Sequence, residues 1–91
     1  MNDIYNLQPT KIVMYLTQWC GECRRARNQF AESNYPYIEV DIEDDELAIQ
    51  FVEKINNGFR SVPTIIFPDG SILVEPANNI LKEKLDQMSA N

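Results

Sequence analysis

The stretch Trp19-Cys20-Gly21-Glu22-Cys23 holds both cysteines of the chain, between the apolar run Ile12-Val13-Met14-Tyr15-Leu16 and a basic, helix-like segment that opens at Arg24-Arg25. Two thiols three positions apart at the join of a strand and a helix suit a redox pair. One helical turn brings both sulfurs within bonding distance at the helix N-terminus.

The reactive form of cysteine is the thiolate, and a free thiol with a pKa near ~8.5 is mostly protonated at neutral pH, so such a site has to stabilise negative charge. Histidine cannot contribute, because the chain has none. With Cys20 as the N-cap, the backbone N–H groups of Glu22 and Cys23 are expected to point at its sulfur, backed by the positive end of the helix dipole. Arg24, Arg25 and Arg27 add positive charge, and Glu22 opposes them, so the Cys20 thiolate should be favoured moderately. A structural zinc site normally takes four Cys or His ligands; two cysteines and no histidine leave it to carboxylates or a second chain, and no metal site is expected.

The length of 91 residues suits one domain, 1–91, with a single small core. A formal charge of −6, from 14 acidic and 8 basic residues, argues against a nucleic-acid footprint or an anionic membrane surface as partner. The first ten residues show no basic start followed by an apolar run, and no stretch approaches the ~20 apolar residues of a membrane span. The chain therefore reads as cytoplasmic, where a close thiol pair is catalytic more often than a structural staple.

Lys11-Ile12-Val13-Met14-Tyr15-Leu16-Thr17 predicts a strand buried on both faces. In the helix that follows, Cys23, Ala26, Phe30 and Ala31 fall near one face, with Arg24, Arg25, Gln29 and Glu32 on the surface. Ser33-Asn34-Tyr35-Pro36 closes it, and Tyr37-Ile38-Glu39-Val40-Asp41 alternates as a second strand would. The acidic run Glu43-Asp44-Asp45-Glu46 reads as the start of a helix carrying Leu47, Ala48, Phe51, Val52 and Ile55, stopped at Asn56-Asn57-Gly58. After Phe59-Arg60-Ser61-Val62-Pro63 comes the strand Thr64-Ile65-Ile66-Phe67, then the hairpin turn Pro68-Asp69-Gly70 and the returning strand Ile72-Leu73-Val74. Pro76 breaks that strand, Asn78 can cap, and Leu81, Leu85 and Met88 stripe a last helix whose Lys82, Glu83, Lys84 and Asp86 face solvent. The expected fold is α/β: a four-stranded mixed sheet flanked by three helices, in the order β-α-β-α-β-β-α.

A C-x-x-C pair opening the first helix, Val62-Pro63 ahead of a hairpin, and a closing helix together resemble the thioredoxin fold in its compact glutaredoxin form. Trp19-Cys20-Gly21-Glu22-Cys23-Arg24-Arg25, Ser61-Val62-Pro63-Thr64 and Phe67-Pro68-Asp69-Gly70-Ser71 are most similar to the mycoredoxin-like subgroup of glutaredoxin-like proteins. The resemblance implies a thiol–disulfide oxidoreductase acting on protein disulfides, or on mixed disulfides with a small thiol. It makes Cys20 the nucleophile and Cys23 the resolving thiol, and it implies a cis Pro63 against the nucleophile, with the backbone before it pairing to substrate. Ser61 and Val62 would offer main-chain hydrogen bonds to an extended substrate. Arg60 would meet a carboxylate of a small thiol, or else simply face solvent. Trp19 would supply an apolar platform, a packing residue, or both.

Two features depart from glutathione-using glutaredoxins: Thr17-Gln18-Trp19 brings no lysine before Cys20, and Val74-Glu75-Pro76-Ala77-Asn78 replaces the glycine pair and aspartate that hold the γ-glutamyl end. The electron donor stays open between mycothiol, glutathione or another small thiol and a flavoprotein reductase. No resident cofactor is expected; disulfide-containing proteins and a small thiol are the partners, and the protein is expected to be a monomer. The alternative is a glutaredoxin-like carrier or sensor holding an iron–sulfur cluster between two chains through Cys20, since Cys-Gly-x-Cys lacks the proline of Cys-Pro-x-Cys.

Overall fold

Apolar side chains at every position of a strand leave it no face for solvent, and Val13–Leu16 (β1) is accordingly buried along its whole length. The computed structural model describes residues 3–89. Beyond β1 it contains α1 (Gly21–Glu32), β2 (Ile38–Asp41), α2 (Glu46–Ile55), β3 (Thr64–Ile66), β4 (Ile72–Val74) and α3 (Asn78–Ser89). The predicted order of elements holds. The sheet runs β2-β1-β3-β4, with β1 parallel to β2 and antiparallel to β3, and β4 antiparallel to β3. The strands are shorter than their apolar runs, because Lys11 is already exposed and Phe67 turns from the ladder to close the hairpin through its N–H to the Ser71 carbonyl, 3.0 Å.

Alternation along β1 divides the core in two. Ile12, Met14 and Leu16 face α1 and α3, packing with Cys23, Ala26, Phe30, Leu81 and Leu85. Val13 and Tyr15 face the other way, onto Ala48, Ile49 and Val52 of α2. Cys23 thus belongs to the first core and owes its burial to the helix that presents it.

The acidic run does start a helix: Asp45 is the N-cap of α2, its carboxylate accepting from the Ala48 N–H at 3.1 Å. Asn57 and Gly58 both take positive φ, 57° and 98°, just past the end of α2.

Several side chains differ from expectation. Leu47 is 64% exposed and Ile49 is buried instead, because Leu47 stands about 100° around the helix from Ala48, away from the sheet. Gln29 is buried with its amide donating to the Ser33 hydroxyl at 3.1 Å, whereas Ala31 is exposed. Asn78 is the first residue of α3 and not its cap; Ala77 stands there, its carbonyl accepting from Leu81. Lys84 does not face solvent freely: its ammonium lies 2.6 Å from the Asp69 carboxylate and 5.2 Å from the centre of the Phe67 ring, tying α3 to the hairpin. Among the described residues no helix is long and apolar enough to cross a membrane.

Candidate active site

The chain leaves the buried end of β1 at Leu16 and reaches Cys20 over the short link Thr17-Gln18-Trp19. Cys20 is the N-cap of α1: its backbone is extended (φ −95°, ψ 118°), its carbonyl accepts from Arg24 at 3.1 Å, and its sulfur accepts from the Cys23 N–H at 3.1 Å. Of the two amides expected to face the sulfur, Cys23 is the one that reaches it, since the third helical position lies directly above the cap. Cys20 is half-buried and Cys23 only 1% exposed, so the two thiols differ in access as the helical spacing predicts.

Burial pushes the Cys23 thiol up to about 12, and its hydrogen bond with Cys20 adds to the shift. The Cys23 thiolate is accordingly far scarcer at neutral pH than that of a free cysteine. Iodoacetamide at neutral pH should label Cys20 at least about a hundred times faster than Cys23, measured by peptide mass spectrometry. Comparable labelling of both in the native protein would contradict the assignment of access.

The loop before β3 supplies the opposite wall. Val62–Pro63 is a cis peptide bond, as the resemblance implied, and the Val62 carbonyl lies 3.8 Å from the Cys20 sulfur, accepting from its thiol. Pro63 is buried, and Val62 and Ser61 are half-buried. The loop is braced from below by residues that propensity alone reads as strand former and helix stop. The Thr64 hydroxyl donates to the Ser61 carbonyl at 2.7 Å, and the Asn56 amide donates to that hydroxyl and to the Val52 carbonyl, each at 3.1 Å. From the far side, the Glu75 N–H donates to the Pro63 carbonyl at 2.9 Å.

The remaining candidates are placed less uniformly. Trp19 is 88% exposed, which rules out packing as its main role and leaves an apolar face next to Cys20 in the chain. Arg60 is ion-paired with Glu53 of α2 at 2.9 Å. Arg27 is taken up by Glu39 at 2.8 Å and by the Gln18 amide oxygen at 3.2 Å, a network that Tyr37 joins through its own hydroxyl on Glu39. Arg25 reaches Glu22 at 3.8 Å. Among the described residues no three His, Cys, Asp or Glu side chains converge as a metal ion would require.

A family model described as Glutaredoxin matches residues 12–72. A Mycobacterium tuberculosis protein classed provisionally as a glutaredoxin is 42% identical over 74 residues, covering 81% of this chain and 88% of that protein. Mycoredoxin 1 of Corynebacterium glutamicum is 34% identical over 67 residues, covering 74% of this chain and 82% of its own. Among solved structures, a glutaredoxin from Archaeoglobus fulgidus superposes with a TM-score of 0.71 over 91% of this chain and 94% of that one; at 21% identity it shows the fold alone.

Proposed function

This chain belongs to the glutaredoxin family, and from that premise we propose that it reduces protein disulfides, and mixed disulfides between proteins and a small thiol, through Cys20 and Cys23. The observation that carries this reading is the division of labour between the two sulfurs. One is accessible at a helix N-terminus, and the other lies buried within hydrogen-bond reach of it, held as a thiol.

The Cys20 thiolate attacks one sulfur of the substrate disulfide, forming a mixed disulfide and expelling the other sulfur as a thiolate. Cys23 then loses its proton and attacks the Cys20 sulfur, giving the Cys20–Cys23 disulfide and releasing the second substrate thiolate. The substrate gains two electrons and the protein loses two. The Cys23 proton has a short route, because the departing thiolate is basic and forms beside it. A single attack distance for Cys23 is set by the helix, which offers the buried sulfur to Cys20 and to nothing else. Val62 and Ser61 hold an extended substrate through their backbone while Trp19 covers its apolar side chains. A small thiol or a flavoprotein reductase returns the electrons. Mycothiol suits the similarity to mycoredoxin 1, and the absent glycine pair disfavours glutathione.

The test is stoichiometric. Reduced protein mixed with excess peptide disulfide should release two thiols per chain and convert its own two cysteines to an intramolecular disulfide, seen as a loss of two mass units, with a change in Trp19 fluorescence. Release of no thiol by folded, reduced protein would overturn the proposal.

A further inference from the structure

Thr64 places a hydroxyl in an apolar layer of the core, directly behind the loop that faces Cys20. As the first residue of β3 it is 0% exposed, and it shares its face of the sheet with Ile66, toward α2 and the core of Val13, Tyr15 and Val52. Valine has nearly the shape of threonine, so packing alone asks for no oxygen there. Both the proton and a lone pair of that oxygen are used: it donates to the Ser61 carbonyl at 2.7 Å and accepts from the Asn56 carboxamide at 3.1 Å, which also donates to the Val52 carbonyl. Asn56 is the C-cap of α2. The bonds thus run from the end of α2 to the carbonyl of Ser61, one residue before the carbonyl that lies 3.8 Å from the Cys20 sulfur. We propose that Thr64 and Asn56 are positioning residues that hold the Val62 backbone in the orientation an extended peptide pairs with, and so favour peptide and protein disulfides over small ones.

Val62 stands between two fixed carbonyls. Ser61 is held through its carbonyl by Thr64 on the α2 side, and Pro63 through its own by the Glu75 N–H at 2.9 Å on the β4 side. The second tether is a backbone group that any residue but proline supplies, whereas the first requires a hydroxyl at position 64. The Arg60–Glu53 pair joins the same loop to α2, but its arginine side chain is 62% exposed, so water and salt screen it and it fixes the backbone weakly. Removing the Thr64 hydroxyl leaves the Ser61 carbonyl and the Asn56 carboxamide half-buried without that partner, and the loop shifts to solvate them. A substrate strand then has to reorder Val62 before it pairs, a cost that enters peptide recognition and not the attack by Cys20. The expected size is that of one ordinary hydrogen bond, about tenfold in rate.

This proposal rests on the oxidoreductase reading, and the experiment separates the two. The second-order rate constant of reduced protein is measured with a peptide of about ten residues joined to 2-mercaptoethanol through a central cysteine, and with 2-hydroxyethyl disulfide, which is too short to pair with a strand. The ratio of the two constants is the readout, because any change in the reactivity of Cys20 itself cancels in it. In Thr64→Val the ratio should fall about tenfold, with the rate for the small disulfide within about twofold of wild type. Thr64→Ser, which keeps a hydroxyl at the same place, should hold the ratio within about twofold of wild type. Asn56→Ala, a truncation at a half-buried position, should lower the ratio at least about threefold, and it decides the test if Thr64→Val does not fold. A ratio unchanged in Thr64→Val, whether both rates hold or both fall together, would overturn the proposal alone. So would a fall that serine does not reverse, or an unchanged ratio in Asn56→Ala. A wild-type protein that reduces neither substrate would overturn the oxidoreductase reading together with it.

Discussion

Replacing Cys20 by serine should reduce turnover of both substrate classes at least about a thousandfold, to the uncatalysed level, because a hydroxyl at neutral pH is not a nucleophile toward sulfur. The substitution is informative because it should leave the fold intact. Cys20 is the N-cap of α1 and accepts the Cys23 N–H at 3.1 Å, a bond that serine makes well. Its half-buried position tolerates a smaller, more polar atom. Thermal unfolding should therefore stay close to wild type while activity with mixed disulfides and with protein disulfides disappears. A Cys20→Ser protein that still turned over either substrate would show that the exposed sulfur is not the attacking one.

Cys23→Ser should separate the two activities. A mixed disulfide on Cys20 can be resolved by a second small thiol arriving from solvent, so turnover of small-thiol mixed disulfides should persist within severalfold of wild type, or about fivefold at most. In the proposed mechanism, a bulky protein held on the Val62 backbone excludes that second thiol and leaves the buried sulfur to reach Cys20 from behind. Reduction of protein disulfides should fall at least about a hundredfold, and a complex linked through Cys20 should accumulate, visible on non-reducing gels and by mass spectrometry. A variant that loses both activities and traps nothing would contradict the role given to Cys23. Because Cys23 is 1% exposed and packs with Ala26 and Phe30, a parallel unfolding measurement distinguishes loss of chemistry from loss of the core around it.

How far the sequence reads correctly depends on how local the responsible physics is. The burial of β1, the spacing of Cys20 and Cys23, the acidic start of α2 and the turn at Gly70 each depend on a few neighbouring residues, and each was legible. Leu47 and Gln29 were misplaced because helical periodicity says which residues share a face but not where the sheet beneath that face ends. Lys84 was misread as solvated because its partners, Asp69 and Phe67, come from the hairpin and not from its own helix.

By itself, then, the sequence determined the identity of the reactive pair, which sulfur is exposed and the order of the seven elements, since backbone hydrogen bonding and a period of 3.6 or 2 act within a single element. Only the tertiary structure decided what surrounds that pair. The Asn56 and Thr64 brace beneath the Pro63 loop, the capture of Arg60 by Glu53 and the hydrogen bond from the Glu75 N–H to the Pro63 carbonyl all join residues from different parts of the chain. Those contacts exist because β3 pairs with β1 and β4 folds back on β3, which carries distant hydroxyl and amide groups to the loop that faces Cys20. A charged side chain has no periodicity to reveal its partner, and its effect on the site is set by the distance that the closed sheet imposes.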